Sequence, residues 1–318
     1  MVNIVKMNGE SPRRRRRRRL RSIVVLPTLL TLGNLLCGFA AIHFSMRETF
    51  SAGAGVDASV QTTLNSALIE RILPSFLAIG AILVFVGMLL DMLDGLAARL
   101  TGQASPFGAE LDSLADIVTF GAAPATLALA LILREWDGEL VPTPLSHHAV
   151  GRAIWVCAAM YCVCAAIRLA RYNVEHDRPD SSPGDFRGLP SPGAAAVVVS
   201  LVTLHEHVGA GFGSVILAAL PFVLLSLGFL MTGRIRYVRV AQVLLIRRRP
   251  FGHLIVLLVV FGVCLLYQAQ TLAVLCGLYA LSGPVLSVAR RWGWVRPGVL
   301  AAESEVDESD DTDSAVSA

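Results

Sequence analysis

Charge is scarce in this chain: only 16% of its 318 residues are Asp, Glu, Lys or Arg. A soluble domain carries about 25%. That scarcity excludes an ordinary soluble enzyme, a disordered chain and a nucleic-acid-binding domain. Cysteine is no framework either. Cys37, Cys157, Cys162, Cys164, Cys264 and Cys276 all fall inside apolar stretches, without metal-ligand spacing, and read as small packing residues. The apolar stretches lack the alternation of barrel strands. No small-residue cleavage site follows the first of them, which is also too long for the apolar part of a signal peptide.

What is present is apolar length. Hydrophobic residues make up 54% of the chain and the mean hydropathy is +0.63. A membrane-crossing helix needs about 20 apolar residues, and the bilayer interior accepts only helices and closed barrels. The chain is therefore expected to be an all-α integral membrane protein with about eight transmembrane helices, near 23–45, 73–98, 109–133, 150–172, 190–206, 213–231, 252–268 and 270–289. The fifth is short and opens on Pro190 and Pro192.

The net charge is only +3, but the charges are unevenly placed. With the N-terminus in the cytoplasm, Arg13 to Arg19, Arg21, Arg99, Arg168, Arg171, Arg234, Arg236, Arg239, Arg247 to Arg249, Arg290, Arg291 and Arg296 fall inside. Only Arg47, Arg71, Arg134 and Arg152 fall outside. Such asymmetry orients the spans with both termini cytoplasmic. The arginine run reads as a topology signal that also attracts anionic lipid, not as a nucleic-acid patch. The divisions are a basic tail (1–22), a transmembrane core (23–231), a basic loop (232–251), two further helices (252–289) and an acidic, disordered tail (290–318). His205 and His207 fall on the outer side and read as solvated.

The informative segment is LLDMLDGLAARLTGQASPFGAELDSLADIVTFGAAPA, residues 89–125. It sets Asp91 and Asp94 at the end of the second span and Asp112 and Asp116 at the start of the third. A carboxylate at a helix centre costs about 2.5–3.5 kcal/mol on insertion scales, less near an interface. Spacings of i, i+3 and i, i+4 put each pair on one helix face. The short connection with Gly102, Pro106 and Gly108 makes the helices antiparallel neighbours, so the four groups can converge at the cytoplasmic end. Four carboxylates repel unless cations lie between them. The all-oxygen ligand set selects Mg²⁺ or Mn²⁺. Four carboxylates can bridge two such ions, an arrangement suited to phosphoryl chemistry. Gly95, Ala98 and Gly108 allow close helix packing or room for a nucleotide. Arg99 can clamp a phosphate or set topology.

Asp91, Asp94, Gly95, Ala98, Arg99, Gly108, Asp112 and Asp116 match the pattern D-x-x-D-G-x-x-A-R-x(8)-G-x(3)-D-x(3)-D without departure. The chain thus resembles the CDP-alcohol phosphatidyltransferases. The resemblance implies a six-helix catalytic core that displaces CMP from a CDP-linked lipid, spans seven and eight being additions. It implies that the aspartates hold two divalent ions on the CDP diphosphate and that Asp116 is also the base toward the acceptor hydroxyl. It implies a homodimer. The stretches PTLLTLGNLLCGFAAI (27–42), DSLADIVTFGAAPA (112–125), IRLARYN (167–173) and FRGLPSPGAA (186–195) are similar to the phosphatidylserine synthase branch, whose substrates are CDP-diacylglycerol and L-serine.

Serine carries a carboxylate, for which an arginine is the natural partner. Arg168 and Arg171, at the end of the fourth span, are available; they can equally hold lipid phosphate or set topology. Asn34, with Thr31 in the first span, bonds another helix or the substrate. The same chemistry with glycerol 3-phosphate or inositol phosphate as acceptor is the nearest alternative. A cation or solute transporter is the alternative of another class. It calls for polar residues at midplane depth on several helices, whereas these carboxylates cluster at one end of two.

Overall fold

The structure, a computed structural model, describes residues 13–53, 75–101, 106–136, 142–176, 188–208, 210–233, 235 and 268–292. Among these residues there are helices and no strands. The helices are α1 (Arg13–Gly53), α2 (Phe76–Thr101), α3 (Pro106–Asp116), α4 (Ala123–Glu135), α5 (Ala149–His176), α6 (Ser191–His207), α7 (Ala210–Thr232) and α8 (Gln268–Arg291). A π-helical turn, Ile117–Ala122, joins α3 to α4 without a break.

Among the described residues, six segments are long and apolar enough to cross a membrane: Pro27–Phe50, Phe76–Ala98, Phe107–Glu135, Ala149–Val174, Gly211–Thr232 and Ala269–Ala289. The chain is a multi-pass, all-α membrane protein. The expected fifth span forms α6, but its 17 residues rise only about 26 Å at 1.5 Å per residue. The expected seventh span, 252–268, lies outside the described residues except for Gln268; so does the basic loop except for Thr232, Gly233 and Ile235, and the acidic tail except for residues 290–292. The first span extends past its expected end at residue 45 to Phe50. Two polar residues of this extension bond inside the bundle: Ser45 Oγ donates to the Ile42 carbonyl at 2.7 Å, and Glu48 pairs with Arg134 through one of its oxygens.

Small residues bring the site-bearing helices together. Gly87 of α2 faces α1 and the π-turn so closely that a Cβ there would stand 2.7 Å from Thr119 Cγ2 and 2.9 Å from Asn34 Oδ1. Such contacts replace the hydrophobic drive that lipid cannot supply. The buried centre includes Phe120, Leu127, Leu131, Tyr161, Val198, Leu220 and Leu224. Large apolar side chains also point outward, as Leu36, Phe39 and the 75% exposed Phe222 do. On a soluble protein this would be an aggregation surface; on a membrane bundle it is the lipid face. The connection into α6 is fixed by Gly188 (φ +90°), whose amide donates to the Ile235 carbonyl at 2.8 Å. A Cβ there would also run into the Met231 carbonyl.

Candidate active site

Asp91 and Asp94 lie near the end of α2, Asp112 and Asp116 on α3. One oxygen each from Asp91, Asp112 and Asp116 lies within 4.8 Å of the other two. Asp94 is not part of this triad. It is buried beside it, interacts electrostatically with Asp112 and accepts a hydrogen bond from Thr31 Oγ1 at 2.9 Å.

Asp116 is the buried member of the triad. Its Oδ1 accepts from Asn34 Nδ2 at 3.1 Å. Asn34, itself fully buried, is held in turn: Thr119 Oγ1 donates to its main-chain carbonyl at 2.9 Å. The polar residues of the first span therefore grip two of the aspartates.

Three carboxylates this close repel through a low-dielectric medium. One oxygen of Asp112 is buried without a hydrogen-bond partner, which leaves it open as a ligand. The donors are oxygens only, so the triad fits a hard divalent cation and could hold a metal ion.

Arg168 of α5 donates from Nη1 to Ser191 Oγ, in the first turn of α6, at 3.1 Å. Its Nε is buried without a partner, and it interacts electrostatically with Asp116. Arg171 is half-buried one turn further along α5. Gly95 and Ala98 are half-buried on α2 and Gly108 on the first turn of α3. Arg99 continues α2; its side chain lies outside the described residues. Asn173 Nδ2 donates to Ser113 Oγ at 2.9 Å, tying α5 to α3.

The π-turn starts on the residue after Asp116. Such turns leave main-chain groups out of the α-helical ladder and occur often at functional sites. Here the Tyr161 hydroxyl donates to the Phe120 carbonyl at 2.9 Å. Thr119 and Ser191 carry little signal in the sequence. Thr119 follows Asp116 at i+3, the one sequence signal that it shares its face; Ser191 had only its place in FRGLPSPGAA.

Arg134, at the far end of α4, donates from Nη1 to Glu48 at 3.0 Å and from Nη2 to Glu206. Glu135 binds the same guanidinium at 3.0 Å. His205 corrects an expectation. Its side chain is 10% exposed, not solvated, because it packs against Gly213 beside Glu206. His207 is exposed and bonds the Thr203 carbonyl. The five cysteines among the described residues are free thiols.

An all-helical membrane bundle with an oxygen-only carboxylate triad on two neighbouring helices defines a membrane-embedded protein with a cluster that could hold a metal ion. The family described as CDP-alcohol phosphatidyltransferase matches residues 24–232, and the chain belongs to it. Its curated relatives include the CDP-diacylglycerol–serine O-phosphatidyltransferase of Helicobacter pylori (strain ATCC 700392 / 26695), 33% identical over 201 residues, 63% of this chain and 76% of the relative. The Bacillus subtilis (strain 168) protein of that name is 28% identical over 214 residues, 67% of this chain and 89% of the relative. The Mycobacterium tuberculosis (strain ATCC 25618 / H37Rv) protein is 30% identical over 204 residues, 63% of this chain and 56% of the relative.

Proposed function

We propose that the protein transfers the phosphatidyl group of CDP-diacylglycerol to the hydroxyl of L-serine, giving phosphatidylserine and CMP. The observation that carries the reading is the triad Asp91, Asp112 and Asp116, set within the family motif of a chain similar to serine transferases from several bacteria.

In this reading Asp91, Asp94, Asp112 and Asp116 would hold two divalent cations, Mg²⁺ or Mn²⁺, whose charge would neutralise the diphosphate and stabilise the leaving CMP. Asp116 takes the proton of the serine hydroxyl as the serine O–P bond forms and the P–O bond to CMP breaks. A hydroxyl is a weak nucleophile, so a base beside the phosphorus is needed. The hydrogen bond from Asn34 to Oδ1 fixes the carboxylate and leaves Oδ2 for that proton. Thr31 holds Asp94 in the same way. Gly95, Ala98 and Gly108 give the nucleotide room, and Arg99 clamps a phosphate. Arg168 receives the serine carboxylate: Ser191 fixes one arm of the guanidinium, and the unpartnered Nε is free to bind an anionic oxygen. Arg171 lies one turn away as a second cation for the carboxylate or the lipid phosphate.

The catalytic unit is residues 23–231, in a homodimer in the plasma membrane. The active site and both termini face the cytoplasm, the side toward which the arginines are biased. Purified protein given CDP-diacylglycerol and radiolabelled serine or glycerol 3-phosphate tests the acceptor. Label is expected in lipid from serine; incorporation from glycerol 3-phosphate alone overturns the reading.

A further inference from the structure

Between the proposed base and the rest of the third crossing stands the π-turn, Ile117–Ala122, where the Ala123 amide donates to the Val118 carbonyl. That bond spans five residues where an α-helical bond spans four, so the turn holds one residue more. Asp112 and Asp116, which precede it, therefore sit about 100° round from where an unbroken α-helix would put them relative to α4. That rotation decides whether the two carboxylates meet Asp91 of α2 or turn away from it.

Two neighbouring helices grip the turn at successive residues. On one side, Thr119 Oγ1 donates to the Asn34 carbonyl of α1 at 2.9 Å, and a Cβ at Gly38 of the same helix would strike the Thr119 side chain. On the other, the Tyr161 hydroxyl of α5 donates to the Phe120 carbonyl at 2.9 Å. Gly121 also lies against α5: a Cβ there would stand 3.4 Å from Ala165 Cβ and 3.6 Å from Cys162 Sγ. Thr119, Phe120 and Tyr161 are fully buried, so neither hydroxyl can turn to bulk water instead. A buried phenol usually finds an acceptor; here the acceptor is the main chain of the turn that phases the aspartates. Single π-turns are rare, and their carbonyls fall out of the α-helical ladder. Bonds from outside the helix hold this one.

We propose that Tyr161 is a positioning residue of the carboxylate triad: its hydroxyl locks the π-turn, and the turn sets the rotation of α3 that brings Asp112 and Asp116 to Asp91. The inference rests on the reading of these aspartates as metal ligands.

The test is Mn²⁺ binding to the full-length protein purified in detergent, with the free ion measured by EPR. Tyr161→Phe keeps the ring and removes only the hydroxyl. The Mn²⁺ dissociation constant is expected to rise about threefold to tenfold, the worth of one hydrogen bond, and kcat to fall with the serine KM unchanged. Thr119→Val, which cuts the tie to α1, is expected to weaken Mn²⁺ binding too, whereas Thr119→Ser keeps the hydroxyl and stays near wild type. This pair tests the same turn without altering α5. Leu224→Ala opens a cavity on α7 instead; it is expected to lower thermal stability at least as much and to leave Mn²⁺ binding unchanged. Unchanged binding in Tyr161→Phe, or equal weakening by Leu224→Ala, overturns the proposal. Asp116→Asn separates the two levels. If it weakens Mn²⁺ binding while Tyr161→Phe does not, the aspartates stand and the lock falls. If Asp116→Asn binds Mn²⁺ as wild type does, the metal site itself is misassigned, and the inference falls with it.

Discussion

Asp116 combines burial, membership of the carboxylate triad and a hydrogen bond from Asn34. Asp116→Asn removes the charge and proton affinity at almost constant volume. Transfer is expected to fall at least about a hundredfold, the lower range for losing a general base, while the protein still reaches the membrane. Turnover by purified mutant and wild type checks this. Arg168→Lys keeps the charge but loses the planar fork. The serine KM is expected to rise about tenfold to a hundredfold, the worth of one charge-assisted hydrogen bond, with the CDP-diacylglycerol KM little changed. The aspartates were legible in the sequence because charge in an apolar run carries a cost that must be offset. Asn34 was visible as a polar residue, but its partner 82 residues away was not. Thr119 and Ser191 were invisible: a hydroxyl in an apolar run bonds its own helix as easily as a distant group.

At the scale of helices, apolar runs marked six of the crossings, with the first span's end, expected at residue 45 and found at Phe50, the furthest off. The first span continued past its apolar run because Glu48 found Arg134, a pairing between α1 and α4 that no local pattern announces. The π-turn after Asp116 has no sequence signature of its own. The fit between α1, α2 and this turn depends on Gly87. Gly87→Ala would drive a methyl into Thr119 and Asn34. A loss of about 1–3 kcal/mol is expected for such overpacking, together with lower transferase activity as Asn34 shifts away from Asp116. Thermal unfolding in detergent, paired with turnover, measures both.

For the whole molecule, the triad and the Arg134 network stand at opposite ends of one continuous helical run. Asp116 and Arg134 are 18 residues apart, a rise of about 27 Å at helical spacing, close to the thickness of the hydrocarbon core. One end gathers acidic groups able to hold cations; at the other, three glutamates share one arginine. The two ends answer differently to treatment. EDTA is expected to stop transfer reversibly, with restoration by Mg²⁺ or Mn²⁺, while the helical content by circular dichroism stays constant. Persistent activity in chelator would show that the triad works without metal.

Arg134 has a consequence for how the protein is made. Glu48 enters the membrane with the first helix, Arg134 with the third crossing, and Glu206 only with α6. Each arrives before its partners are complete, and Glu48 ends 1% exposed. Removing one partner of such a buried group costs about 3–5 kcal/mol. The network cannot close until the segment carrying Glu206 has been synthesised, and once closed it joins α1, α4 and α6. Arg134→Met is expected to leave newly made protein prone to degradation before assembly, so that pulse-chase labelling shows a shortened lifetime, while those molecules that do assemble transfer serine at the wild-type rate.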